Sequence, residues 1–298
     1  MTELYIDGQL AVLSEGFNIM LTSENPYFTR SSSYSLDIEL PMIANHAIFK
    51  HINRLDVTKK KTILPAMLIV DARCLLYGSA VLLSVEDTLV KVQLVSGNAE
   101  FNLLTNDDIY IDELELGGPY MPPQPGIFQF FLPESEMKAA YGSVDEVGGV
   151  FLPVFYQEAK EENLVNRVTY EEGTTNFNPG SNMFVGSFQP YLFTVIKKLV
   201  EYFGYTFDTT FFDTSFLRNI YICSAVNSFR IETALPHWTV SEFFDELEKF
   251  LGIITVVDEY AKVVRFVELN NYFSNPNKEI INHTALLREY AVEIDEEK

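Results

Sequence analysis

Cysteine, tryptophan and positive charge are all scarce in this 298-residue sequence. Its two cysteines, Cys74 and Cys223, stand far apart inside apolar segments. They read as buried thiols of a reducing compartment, because neither a disulfide framework nor zinc-ligand spacing surrounds them. Lysine and arginine number 21 against 42 aspartates and glutamates, a net charge of −21. A field of that sign repels phosphate backbones and argues against general binding to DNA or RNA. The one basic run, Lys59-Lys60-Lys61, reads as a solvated loop between strands. No apolar stretch approaches the ~20 residues that span a bilayer. The opening Met1-Thr2-Glu3-Leu4 has neither the basic nor the apolar part of a signal peptide. A soluble protein made in a cytoplasm is therefore expected.

Apolar residues make up 47% of the chain and charged residues 21%, so it can build an ordinary globular core. The 24 Phe and 16 Tyr often fall in alternating patterns, which favours sheets. Leu4-Tyr5-Ile6 and Ala11-Val12-Leu13 flank Asp7-Gly8, a hairpin signal. Phe17 to Leu21 reads as a strand, and Tyr34 to Leu40 as a half-buried one ended by Pro41. Ala66 to Val70, Cys74 to Val85 and Leu89 to Val95 are joined by short polar turns and read as a meander. About seven strands in this first part imply a small β-barrel or sandwich-like domain over 1–105.

Past Asn106 the composition turns acidic, and Gly117-Gly118-Pro119 with Pro122-Pro123 breaks the pattern. Residues 106–186 read as an irregular β-rich and loop region. Over 187–298 the signals are helical. Leu192, Val195, Ile196, Leu199, Val200 and Phe203 share one face, with Pro190 before and Gly204 after. A strand is expected over Tyr205 to Phe212. Thr239 and Glu242 form a capping box for a second helix. Its apolar face would hold Val240, Phe243, Phe244, Leu247, Phe250 and Leu251, with Asp245, Glu246, Glu248 and Lys249 wet and Gly252 as the stop. Ile253 to Val257 and Val263 to Val267 then make a hairpin. Two successive helix–glycine–strand units suggest a weak internal repeat, although that order is common in such proteins. The fold class is α+β, mostly β.

The chemistry-bearing residues form no recognisable constellation. His46 and His51 lack a third metal ligand in sequence, and His237 reads as packing beside Trp238 where the second helix begins; His283 stands alone. Nucleophile elbow, phosphate loop and dinucleotide fingerprint are all missing. Glu161-Glu162 and Glu171-Glu172 are the nearest approach to paired catalytic acids. Asp107, Asp108, Asp112, Glu113 and Glu115 lack the spacing of a calcium loop and read as a solvated acidic rim. No catalytic, cofactor-binding or metal site is assigned, and a non-enzymatic protein is expected.

Two stretches carry a resemblance. Thr239-Val240-Ser241-Glu242-Phe243-Phe244 through Leu251-Gly252-Ile253, leading into Val256-Val257-Asp258 and Val263-Val264-Arg265-Phe266, resembles a unit of bacteriophage tail hub and baseplate proteins. Tyr34 to Pro41, Ile48-Phe49, Asn53 to Val57, Leu64-Pro65-Ala66, Gly78-Ser79-Ala80 and Val90 to Leu94 are similar to the opening β-domain of prophage tail proteins. The likeness covers roughly 1–100 and 187–268 and leaves 106–186 without a counterpart. It implies a virion structural protein at the tip of the tail tube, assembling with itself, most naturally as a trimer. Other tail proteins (tube, distal tail, fibre or spike) would be its further partners. A carbohydrate- or receptor-binding β-protein at a tail tip or cell surface is the alternative, with Pro119-Tyr120-Met121-Pro122 and Asn176-Phe177-Asn178 as aromatic loops for sugars. A hydrolase with unrecognised carboxylates is the third reading. The chain is equally compatible with being the front part of a longer protein.

Overall fold

The computed structural model describes residues 2–29, 31–50, 52, 62–105, 108–117, 148–150, 152–156, 164–166, 168–171, 174–177, 187–213, 215–226, 228 and 230–270. The first eight strands, β1 (Thr2–Ile6), β2 (Gln9–Leu10), β3 (Leu21–Ser23), β4 (Ser33–Ser35), β5 (Ile38–Pro41), β6 (Ile63–Val70), β7 (Arg73–Val85) and β8 (Leu89–Val95), form one antiparallel sheet. Its order is β2-β1-β6-β7-β8-β4-β3, with β5 also paired to β8. The end strands β2 and β3 do not pair with each other, so the sheet is open rather than a closed barrel. Leu4, Ile6, Ile38, Leu40, Leu68, Leu76, Val90, Val92 and Leu94 bury the inner face, and Ile48 and Phe49 of the short helix α2 cover it. That helix (His46–Phe49) follows α1 (Pro26–Thr29).

The meander expected from the sequence is present as β6, β7 and β8. Asp7 and Gly8 both take positive φ, as a two-residue hairpin demands. Two expectations fail here. Phe17 to Leu21 is not a strand; β3 begins only at Leu21. Tyr34 to Leu40 is not continuous either, because the chain breaks at Leu36-Asp37 between β4 and β5. The break moves the inward positions from Ser35 to Ile38 and Leu40 and leaves Leu36 outside, so strict alternation misplaces Leu36. The Ser35 hydroxyl accepts from Leu94 N at 2.8 Å, which satisfies the buried donor beside the break.

After β8, the helix α3 (Gly97–Thr105) crosses to a second core. Short pairs follow: β9 (Gly149–Val150), β10 (Val154–Phe155), β11 (Leu164–Val165), β12 (Val168–Glu171), β13 (Thr174–Phe177) and β14 (Gln189–Pro190). Within them β10 pairs with β11, β12 with β13, and β14 returns to β9. The remaining elements are α4 (Leu192–Tyr202), β15 (Thr206–Phe207), α5 (Thr210–Asp213), α6 (Val240–Leu251), β16 (Ile253–Asp258) and β17 (Val263–Glu268). Strand β17 lies between β16, antiparallel, and β15, parallel. The two helix–glycine–strand units thus contribute to one small sheet. The strand expected over Tyr205 to Phe212 shortens to two residues, because Asp208 accepts from both the backbone and the hydroxyl of Thr210 and turns the chain into α5.

Thr239 and Glu242 form the full capping box, and Gly252 ends α6 at φ 65°, the left-handed conformation that favours glycine. Val240, Phe243, Phe244 and Leu247 are buried. Phe250 is not: it is 67% exposed. Glu248, expected to be wet, is buried instead and accepts from Thr255 N at 2.8 Å. Leu251 of the same last turn still packs against the second core, so Phe250 lies at the edge of the apolar stripe. Among the described residues, no helix is long and apolar enough to cross a membrane.

Candidate interaction surface

The junction between the two cores is built on β7. Its inward positions Leu76 and Ala80 belong to the first core, whereas Ser79, also buried, faces α3. Both faces of the apolar stretch Cys74 to Val85 are thus partly used inside the chain. Gly78 is required where β7 passes the end of β8: a Cβ there would lie 2.1 Å from Val95 O. Ser79 donates to Glu100 at 2.6 Å, and Lys262, from the turn between β16 and β17, donates to the other Glu100 oxygen. Both carboxylate oxygens are therefore committed. Tyr205 packs beneath this pair, and burial first, the Glu100 charge second, raise its hydroxyl far above the usual tyrosine range. Burial also raises Tyr260, which stacks on Tyr77 at 5.5 Å.

Asn98 joins the same junction. Buried at the start of α3, it accepts from Val257 N at 2.9 Å and donates to Thr255 O at 2.7 Å. Its amide thus acts as one peptide unit of an extra strand along the open edge of β16. The device recurs. Asn45 accepts from Val12 N and donates to Val12 O, tying the segment after β2 to α2 near the open side of the first sheet. Asn166 and Gln189 do the same for the short strands around Leu152 and Ser187. Sequence reasoning missed all four. Ser96-Gly97-Asn98 carries a helix-start signal, but a distant backbone partner leaves no local trace.

Next to the junction, a groove of about 500 Å³ runs between Tyr5, Pro65, Met67 and Tyr77, with Glu100 and Lys262 at its base. At the far edge of the first sheet, the β3–β4 pairing extends to Met20 O accepting from Leu36 N. That places two exposed apolar side chains, Met20 at 63% and Leu36 at 53%, opposite each other beside β3, whose outer edge pairs with no strand among the described residues. Phe28, Ile43 and Phe216 are also strongly exposed. Large apolar side chains beside a free edge suit contact with another protein surface.

The residues singled out by sequence are scattered. Cys74 and Cys223 are exposed, not buried: a β-bulge opposite Leu68 and Ile69 takes Cys74 out of phase with inward Leu76, and Cys223 alternates with buried Ser224. His46 is exposed at the start of α2, while His51 and His283 lie outside the described residues. His237 does pack, stacking on Tyr110 at 4.0 Å with Nδ1 3.0 Å from Asp112. Of the acidic run, Asp107 is outside the described residues. The segment from Ile109 to Leu116 turns Ile111, Leu114 and Leu116 into the second core and is laced by backbone bonds to Trp238 and Val240. Glu171 lies in β12; Glu161, Glu162, Glu172, Lys59-Lys60-Lys61 and the loop at Tyr120 are outside the described residues, and of the Phe177 loop only Asn176 and Phe177 are inside, in β13.

No protein family, curated protein or solved structure matches this chain.

Proposed function

We propose that this chain is a non-catalytic structural subunit of a phage tail hub or baseplate, assembling with its own copies, as a trimer, and with neighbouring tail proteins. The tail-protein resemblance supplies the class. The observation that carries assembly is the open β3 edge flanked by the exposed pair Met20 and Leu36. An unpaired edge bordered by apolar side chains is unfavourable in an isolated monomer and favourable when another subunit covers it. The excess of acidic residues keeps isolated chains soluble and disfavours nucleic acid as the partner.

The test is light scattering of the pure protein across concentration, alone and with the tail-tube protein. A trimer is expected, and the double change M20K/L36K should return it to monomer with an unchanged far-UV circular dichroism spectrum. Monomer at every concentration and beside the tube protein would end this reading. So would clearing of cell-wall suspensions by the pure chain.

A further inference from the structure

The groove beside the junction is lined by one cross-strand row. Tyr5 of β1 lies directly opposite Met67 of β6, and Met67 lies directly opposite Tyr77 of β7. All three alternate with the buried Leu4, Ile6, Leu68 and Leu76, so they stand on the outer face of the sheet. Pro65, two residues before Met67 on that face, is exposed, and so is Tyr77 at 38%. With strands about 4.8 Å apart, the row runs about 10 Å from one tyrosine to the other.

The polar groups of the groove favour a ligand that accepts hydrogen bonds. Glu100 is the one carboxylate in its lining among the described residues, and Ser79 and Lys262 already donate to its two oxygens. The Lys262 side chain is 34% exposed and has further N–H groups to give. A sugar, rich in hydroxyl donors, would find that carboxylate engaged. A proline-rich segment is the opposite case: proline has no N–H, and the carbonyls of a polyproline II helix have no partner within it. That helix has three residues per turn and advances about 9 Å in each. Prolines three apart therefore share one face at the spacing of the two tyrosines, and aromatic-lined grooves hold such segments.

The chain carries a sequence of this kind: Pro119, Pro122 and Pro125 recur at every third position. We infer that the groove docks this proline-rich stretch from a second copy of the chain, with successive prolines over Tyr5 and Tyr77 and a carbonyl accepting from Lys262. Proline enters with φ already fixed, so docking orders little further chain. The inference rests on the self-assembly proposed above and adds to it a contact on strands other than β3.

The test uses the triple variant P119S/P122S/P125S, which keeps the groove and removes the prolines, isotope-labelled at its methionine methyl groups for NMR. A synthetic peptide copying residues 118–126 should shift the Met67 resonance saturably, and a peptide with serine in place of the three prolines should not. Adding Tyr77→Ser to the variant should weaken peptide binding about tenfold, the weight of one aromatic contact. Circular dichroism would confirm that both variants fold. Unlabelled Tyr77→Ser protein, with its prolines intact and its own groove spoiled, should shift the same Met67 resonance when mixed in. No response to the peptide, an equal response to the serine peptide, or unchanged affinity after Tyr77→Ser would overturn the groove, whatever light scattering shows of the β3 edge. A response to the peptide but none to the Tyr77→Ser protein would overturn the second copy as the source.

Discussion

Around the eight-stranded sheet the buried side chains are aliphatic, and Phe49 is the one fully buried ring there among the described residues. The core under α4 and α6 instead gathers Phe101, Phe188, Phe193, Phe207, Phe212, Phe243, Phe244 and Phe266. Many of these rings meet edge to face; Phe212 alone approaches Phe193, Phe211 and Phe266 at 5.3, 5.0 and 6.1 Å. In the first core a backbone ladder holds the shape, and side chains need only be apolar on alternate positions. In the second, the backbone ladder is confined to the six-residue hairpin β16–β17 and the two-residue β15, and rings fill the space between this small sheet and helices α4 and α6. Stability should accordingly be concentrated in a few rings of the second core and spread more evenly in the first.

The largest expected effect sharpens that contrast. Phe212→Ala should cost about 4 kcal/mol in urea unfolding, against about 3 kcal/mol for Leu68→Ala in the first sheet, although both side chains are fully buried. Equal or reversed costs would break the comparison. Next comes the link between the cores. Asn98→Ala strands Val257 N–H and Thr255 C=O at a buried edge and should cost about 3 kcal/mol. It should also separate the fluorescence transition of Trp238, in the second unit, from the circular dichroism transition dominated by the sheet. A single coincident transition in this variant would mean that the cores are coupled elsewhere.

Smaller effects belong to α6. Thr239→Ala should cost about 1 kcal/mol through loss of the cap. Part of that difference depends on pH. The Thr239 backbone N–H, and then its hydroxyl, hold the Glu242 carboxyl below its ordinary range. The contribution is therefore complete above the unfolded carboxylate pKa and fades as pH falls through the lower folded value. Repeating the unfolding of Glu242→Gln and of the parent protein from neutral to acid pH should show their difference shrinking. Smallest of all, Phe250→Ala should change stability by less than about 0.5 kcal/mol, since the ring lies outside the core. A loss like that of Phe244→Ala would show that the ring is covered in solution, as it would be within an assembly.

Local signals were enough for elements whose partners are near in sequence. Asp7-Gly8, the β6–β8 meander, the Thr239 capping box and the Gly252 stop depend on a few neighbouring residues, and each is where its pattern places it. The face of α4 was legible for the same reason: its period is set by helix geometry, not by what covers it. Tertiary structure decided the rest. Whether Leu36 points in or out depends on the break that lets β4 and β5 both pair with β8. Glu248 is buried because Thr255 N, on the next strand, needs an acceptor. The roles of Asn98, Glu100 and Lys262 arise from residues far apart in the chain. Periodicity reports which side of an element is apolar, but burial of a polar group is fixed by the partner it meets, and that partner is chosen only when the chain folds.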